Sequence, residues 1–194
     1  MSPSSDTPAA TETQTTAPVD ALAAPLAACQ AEVTAGDALA TAAAASARDW
    51  GAHAGAEVSL DAGLISYAQA EAIWGASKKP GAADLAAFAA AEPVYTKAAS
   101  ACPQLATAAA AAGSSAPANV TACVARSQAL AAVAKTGTVV NGQWAAHQAQ
   151  MTTKATAAGP AYHQKWMNFV ADSKSALAAY GTAAAALDKA PACS

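Results

Sequence analysis

The chain has 194 residues, of which 66 are alanine, and a formal net charge of −3. Alanine has the highest intrinsic helix propensity, so this composition favours helices. The ten lysines and arginines are spread along the chain and form no basic stripe, which argues against nucleic-acid binding. No apolar run reaches the roughly 18 residues that a membrane span needs. The length suits one helical domain.

The apolar content outside alanine is low. Only 39 larger apolar or sulfur-containing residues remain, and Leu, Ile, Val and Phe together number 24. Such a content is typical of disorder, but disorder also requires a high net charge, which this chain lacks. We therefore expect Ala-rich helices packed closely around a thin core.

The first residues differ in composition from the rest. Residues 1–19 contain Ser, Thr, Pro, Ala and acidic residues, which predicts a flexible tether before a helical domain over 20–194. The tether lacks the basic start and apolar stretch of a signal peptide. Four cysteines without a C-x-x-C pair favour disulfides in an oxidising compartment. We expect an extracytoplasmic protein, either secreted or held to the cell envelope by a lipid anchor upstream of this chain.

The rare residues indicate an internal duplication. The recurring residues are Cys29, Trp50, His53, Trp74 and Cys102 in the first half, and Cys123, Trp144, His147, Trp166 and Cys193 in the second. The first three recur at a constant shift of 94 residues. Agreement of three rare residue types predicts two repeats, over about 21–102 and 118–193.

Each repeat has the pattern of a helical hairpin. The predicted helices cover about 21–56, 66–101, 118–157 and 161–189. Ser66 and Gln69 form a capping box that begins the second helix. We expect Pro80 and the glycine after it to interrupt that helix, Pro93 to kink it, and Pro160 to begin the last helix. Short loops make successive helices antiparallel, so the fold class is an all-α, up-down-up-down four-helix bundle.

The spacing places cysteines and histidines at opposite ends. At 1.5 Å per residue, the segment from Cys29 to His53 is about 36 Å long. All four cysteines then lie at one end, where they can staple the bundle. The duplication favours Cys29–Cys102 and Cys123–Cys193, and the alternative is Cys102–Cys123 with Cys29–Cys193.

The opposite end carries the histidines and the internal methionines. His147 and Met151 are four residues apart, as are His163 and Met167, so each pair lies on one helix face. In an up-down bundle the first and third helices are diagonal, which would let His53 face His147 across the axis. The candidate metal ligands are therefore His53, His147, Met151, His163 and Met167.

Imidazole with thioether is the ligand set that soft copper, especially Cu(I), prefers. The sequence therefore predicts a protein that binds, buffers or delivers copper. Glu57, one turn after His53, is interpreted mainly as a solvated acid at the helix end and otherwise as an additional ligand. Haem b between inward-facing side chains is the alternative cofactor, without covalent attachment because no C-x-x-C-H occurs.

A structural interpretation of the same residues stays open. Trp and His can fill the wide end of a bundle where alanine is too small, and Met fills irregular gaps. The protein would then be an envelope domain that contacts another protein. No G-x-S-x-G elbow, phosphate loop, H-E-x-x-H motif or Glu-x-x-His pair is present, so we expect no enzyme.

Three motifs of the second repeat carry a family resemblance. They are Trp144-x2-His147-x3-Met151-x2-Lys154, Tyr162-x3-Trp166-Met167 and Pro191-x-Cys193. The chain from about Cys29 to Cys193 resembles Ala-rich secreted or lipoprotein-type proteins of high-GC bacteria. The resemblance implies export and says nothing about mechanism.

Overall fold

The protein is an all-α bundle, as predicted. The computed structural model describes residues 19–113, 115–153 and 160–194. The helices are α1 (Val19–Asp61), α2 (Tyr67–Ala98), α3 (Ala101–Ala111), α4 (Ala118–Thr153) and α5 (Pro160–Lys189). Because α2 and α3 follow each other along one leg, the five helices make four legs. Within these ranges there is no strand, and no helix is long and apolar enough to cross a membrane.

The turn between α1 and α2 follows the predicted cap. The Ser66 hydroxyl accepts a hydrogen bond from the Gln69 backbone N–H at 3.3 Å, and the Gln69 side-chain oxygen accepts from the Ser66 N–H at 2.8 Å. Gly63 lies in the turn at φ +69°, a conformation that glycine adopts without strain. The capping box is confirmed, and α1 extends to Asp61, beyond its predicted end at residue 56.

The predicted interruption of the second helix is wrong. α2 continues through Pro80 and Pro93 without a break. A Cβ on Gly81 would lie 2.9 Å from the indole Nε1 of Trp144, so the α2 backbone packs directly on a side chain of α4. This tertiary contact supports a helical segment that proline alone disfavours.

The leg breaks instead at residues 99–100, where α2 gives way to α3. Ser100 precedes α3 without capping it through its side chain. Glu32 of α1 takes that role: its carboxylate accepts from the Cys102 backbone N–H at 2.8 Å and from the Ser127 hydroxyl of α4. Negative charge at a helix N-terminus is favourable. A buried side chain of α1 thus caps α3 and connects it to α4.

Two disulfides staple the end of the bundle opposite the histidines. They are Cys29–Cys102 and Cys123–Cys193, which confirms the favoured pairing. Each closes one hairpin, across 73 and 70 residues respectively. A chain-entropy argument gives about 4 kcal/mol for closing such a loop. Disulfides of this kind are typical of an oxidising, extracytoplasmic environment.

The first helices of the two repeats, α1 and α4, run parallel and pack directly against each other. Equivalent positions meet along this contact: Gly36 with Leu130, Ala43 with Gly137, and Trp50 with Trp144. In α1 these positions are seven residues apart, the spacing of a parallel coiled coil. α2 packs mainly on α1, and α5 packs mainly on α4, whereas contacts between α2 and α4 and between α1 and α5 are few. The helices predicted to be diagonal, α1 and α4, are therefore in direct contact across the bundle.

Two glycine substitutions test how tightly α1 and α4 pack. We expect Gly36→Ala to destabilise the fold by about 1–3 kcal/mol, because its Cβ would lie 2.8 Å from Leu130 Cδ1. Gly142→Ala is the matched control: it also lies inside a helix, but its Cβ meets nothing within 4 Å. It should gain about 0.5–1 kcal/mol from helix propensity. Denaturant unfolding of both variants is the measurement, and loss of stability in Gly142→Ala would contradict this packing.

The two disulfides should differ in their resistance to reduction. Cys29, Cys102 and Cys123 are fully buried, whereas Cys193 is only half-buried and follows the end of α5. A thiolate must reach a sulfur atom to exchange, so we expect a limiting dithiol to open Cys123–Cys193 first. Differential alkylation followed by peptide mapping measures the order, and earlier labelling of Cys29 or Cys102 would contradict it.

Candidate functional site

Two histidines meet at the end of the bundle opposite the disulfides. The Nε2 atoms of His53 on α1 and His147 on α4 are 3.1 Å apart, and both side chains are 4% exposed. They form the layer that follows the stacked pair Trp50–Trp144, whose ring centroids are 5.3 Å apart. The duplication predicted that these imidazoles face each other, and the parallel packing of α1 and α4 brings them together.

One arrangement of protons fits the contacts around this pair. The Ser77 hydroxyl lies 2.9 Å from the Ile73 carbonyl, 3.2 Å from the Trp74 carbonyl and 3.0 Å from Nδ1 of His53. With the hydroxyl hydrogen donated to a carbonyl, the Nδ1–H of His53 donates to the Ser77 oxygen, and the lone pair of His53 is then on Nε2. In the neutral pair, His147 then donates its Nε2–H to His53. A cation that replaced this shared proton would have an Nε2 lone pair from each ring.

Four tryptophans enclose the pair. Trp50 stacks on His53 and Trp144 stacks on His147, and the Trp166 ring centroid is 4.3 Å from that of His147. Trp74 closes the α2 side, and its indole N–H donates to the His53 backbone carbonyl at 3.1 Å. These rings keep water away from the imidazoles on every side that they cover.

One side of the pair opens into a pocket of about 270 Å³. Its lining residues are His53, Glu57, Glu71, Trp74, Gly75, Lys78, His147, Met151 and Trp166. Met151, whose thioether could ligate a metal, is half-buried in the next layer of α4. The pocket thus brings together three of the predicted ligands and Glu57.

The interpretation of Glu57 as a solvated acid is wrong. Its side chain is only 7% exposed, and position 57 continues the seven-residue spacing of the α1 positions that pack against α4. Its equivalent in the second repeat is Met151, which lines the same pocket. In the described part of the chain, the Glu57 carboxylate has no hydrogen bond or ion pair.

The described residues do not place the other two predicted ligands, Met167 and His163, in this pocket. Met167 lines a separate apolar groove between α1 and α5, together with Gly51, Val58 and Leu177. His163 belongs to α5, but its side chain lies outside the described residues. Among the described residues, no three His, Cys, Asp or Glu side chains are placed to hold a metal ion.

The described donors are therefore two imidazoles and one thioether. A metal with bonds of about 2.0–2.1 Å to two nitrogens in tetrahedral geometry holds them about 3.3 Å apart, close to the separation of 3.1 Å. Ser77, which orients His53, was not among the predicted site residues. Its recurrence as Ser173 in the second repeat is the signal that could have found it.

Comparisons of the chain with family models, with curated proteins and with solved structures found no match. The functional interpretation therefore depends on the geometry of this site.

Two carboxyl groups interact on the flank of the same bundle end. Burial opposes ionisation of Asp49, but hydrogen bonds from Arg48 and Asp84 outweigh burial and hold the pKa of Asp49 below its usual value. Burial, the hydrogen bond to Asp49 and its charge raise the pKa of Asp84. Asp84 on α2 is thus the carboxyl that keeps its proton to higher pH.

We expect Asp84→Asn to stabilise the protein at pH 7. A carboxyl whose pKa is raised in the folded state stabilises below its unfolded pKa of about 3.8, and that stabilisation is lost as the pH rises through the folded pKa. Asn resembles the protonated form at every pH. Urea unfolding should show a higher free energy of unfolding for Asp84→Asn than for the unmodified protein at pH 7, and a smaller difference at pH 3.5. An equal difference at both pH values would contradict the raised pKa of Asp84.

Proposed function

We propose that this protein binds one soft transition-metal ion, with Cu(I) favoured, between His53 and His147. Met151 supplies the thioether ligand, and Glu57 lines the same pocket without a bond to the ion in the loaded state. The observation that carries the proposal is the buried pair of imidazoles whose Nε2 atoms point at each other inside a pocket. A structural pair of histidines does not need a pocket that leads to their shared edge.

The donor chemistry favours copper over other ions. Magnesium and calcium prefer several oxygen ligands, and structural zinc prefers four imidazole, thiolate or carboxylate ligands. A site with two neutral nitrogens and a thioether carries no charge of its own, which suits a monovalent soft ion. The surrounding tryptophans exclude water and further favour a low-charge complex.

Haem b receives less support from this geometry. Two nitrogens on opposite sides of an iron, each about 2 Å from it, lie about 4 Å apart with the macrocycle between them. His53 and His147 approach to 3.1 Å, and the helices that carry them are in direct contact. The pocket lies beside the imidazole pair rather than between the rings.

The role that we propose is non-enzymatic. An exported, disulfide-stapled bundle would hold or deliver copper in the cell envelope. The competing function is an envelope domain that binds another protein and no metal. That alternative is favoured by the mutual hydrogen bond of the histidines, which satisfies both Nε2 atoms without a ligand.

Titration with Cu(I) under anaerobic conditions tests the proposal. We expect one Cu(I) per chain, and we expect His147→Ala to abolish stoichiometric binding because one of two imidazoles is lost. Met151→Leu should weaken affinity about tenfold or more while preserving the fold, since Leu and Met have similar volumes. Competition with a chromophoric Cu(I) chelator measures the affinity, and circular dichroism checks folding.

Met167→Leu is the matched control, because it makes the same chemical change in a groove away from the histidines. It should leave Cu(I) affinity unchanged. Absence of binding by the unmodified chain would favour the protein-interaction domain. Equal losses in Met151→Leu and Met167→Leu would remove Met151 from the ligand set.

A further inference from the structure

The Glu57 carboxylate is an unusual group in so apolar a region. It is more than nine-tenths buried, lines the pocket with both histidines, and forms no hydrogen bond or ion pair with the described residues. The carboxylate oxygens are not among the fully buried polar atoms without a partner, so they face the open space of the pocket. A carboxylate in such a position can bind a cation that enters the pocket.

The pocket leads from the histidines to the surface beside Glu57. Its outer wall is a stretch of α2 that contains the exposed residues Glu71, Gly75 and Lys78. Gly75 leaves the opening wide, since a Cβ there would meet nothing within 4 Å. At the inner end the imidazoles are 4% exposed and covered by tryptophan rings. We call the outer opening, formed by Glu57, Glu71, Gly75 and Lys78, the mouth.

We infer that the metal enters and leaves the histidine pair through the mouth, with Glu57 as its entry ligand. This inference rests on the proposed function and adds the route and the exchanging group. A carboxylate oxygen is a hard donor that holds Cu(I) weakly compared with imidazole or thioether. Glu57 is therefore suited to a transient contact, and His53 and His147 to the final one.

The exchange proceeds by addition of ligands without a change of oxidation state. The ion first exchanges a solvent ligand for a Glu57 oxygen, and that bond then breaks as bonds to the two Nε2 atoms and the Met151 sulfur replace it. The Nε2 proton of His147 leaves to water as its lone pair becomes a metal ligand. Release follows the same steps in reverse, so the carboxylate should govern both rates more than the affinity.

Stopped-flow tryptophan fluorescence measures the rate directly, because the bound ion lies among four tryptophans. Cu(I) is presented in anaerobic buffer as its weak complex with acetonitrile. We expect Glu57→Gln to slow uptake at least tenfold while one Cu(I) per chain still binds at equilibrium. Glu71→Gln is the matched control: it removes the same charge at the mouth from an exposed side chain, and should change the rate less than threefold.

A second pair of variants tests the route itself. Gly75→Phe narrows the mouth and should slow both uptake and removal at least tenfold. Gly55→Phe makes the same change at another exposed helical glycine, whose added Cβ also meets nothing within 4 Å but which lines the α1–α5 groove. The control should bind Cu(I) at the rate of the unmodified chain.

The outcomes distinguish failure of this inference from failure of the proposed Cu(I) binding. If the unmodified chain binds no Cu(I), both are overturned. If it binds one Cu(I) but Glu57→Gln and Glu71→Gln slow uptake equally, and the effect disappears at high salt, Glu57 acts only through its charge and is not an entry ligand. Equal rates in Gly75→Phe and Gly55→Phe would overturn the route.

Discussion

Close packing of α1 against α4 is the contact on which the rest of the structure depends. The two helices can approach because small residues occupy their shared seven-residue positions, with Gly36 against Leu130 and Gly137 against Ala43. A parallel pair in register brings each residue of one repeat against its own equivalent in the other. The duplication therefore becomes a stack of matched layers, and α2 and α5 pack on its two flanks.

The same register explains the chemistry of the tryptophan-rich end. Where the small residues stop, Trp50 meets Trp144, and one turn later His53 meets His147. The register thus turns one histidine in each repeat into a facing pair of imidazoles. The next layer breaks the symmetry, because Glu57 and Met151 occupy equivalent positions and line the same pocket. A carboxylate in one repeat therefore corresponds to a thioether in the other.

The disulfide end secures this arrangement from the other side. In a core built largely of alanine, apolar burial alone gives little stability per residue, and each disulfide limits the freedom of one unfolded hairpin. Glu32 connects the two repeats there by capping α3 and accepting from Ser127. The histidine end has no covalent link of its own, so a bound metal between His53 and His147 would join the repeats at that end.

The sequence by itself determined the helical class, the two repeats and the opposite placement of cysteines and histidines, and it favoured the disulfide pairing that the structure has. Those features follow from composition and from the spacing of rare residues along helices of fixed rise. Tertiary structure alone decided that α2 continues through Pro80, that Glu57 is buried and that Met167 lies in another groove. The reason is physical: helix rotation and the closeness of α1 to α4 are set by side chains that meet across helices. Residues such as Gly81 and Trp144 are distant in sequence, and no local pattern records their contact.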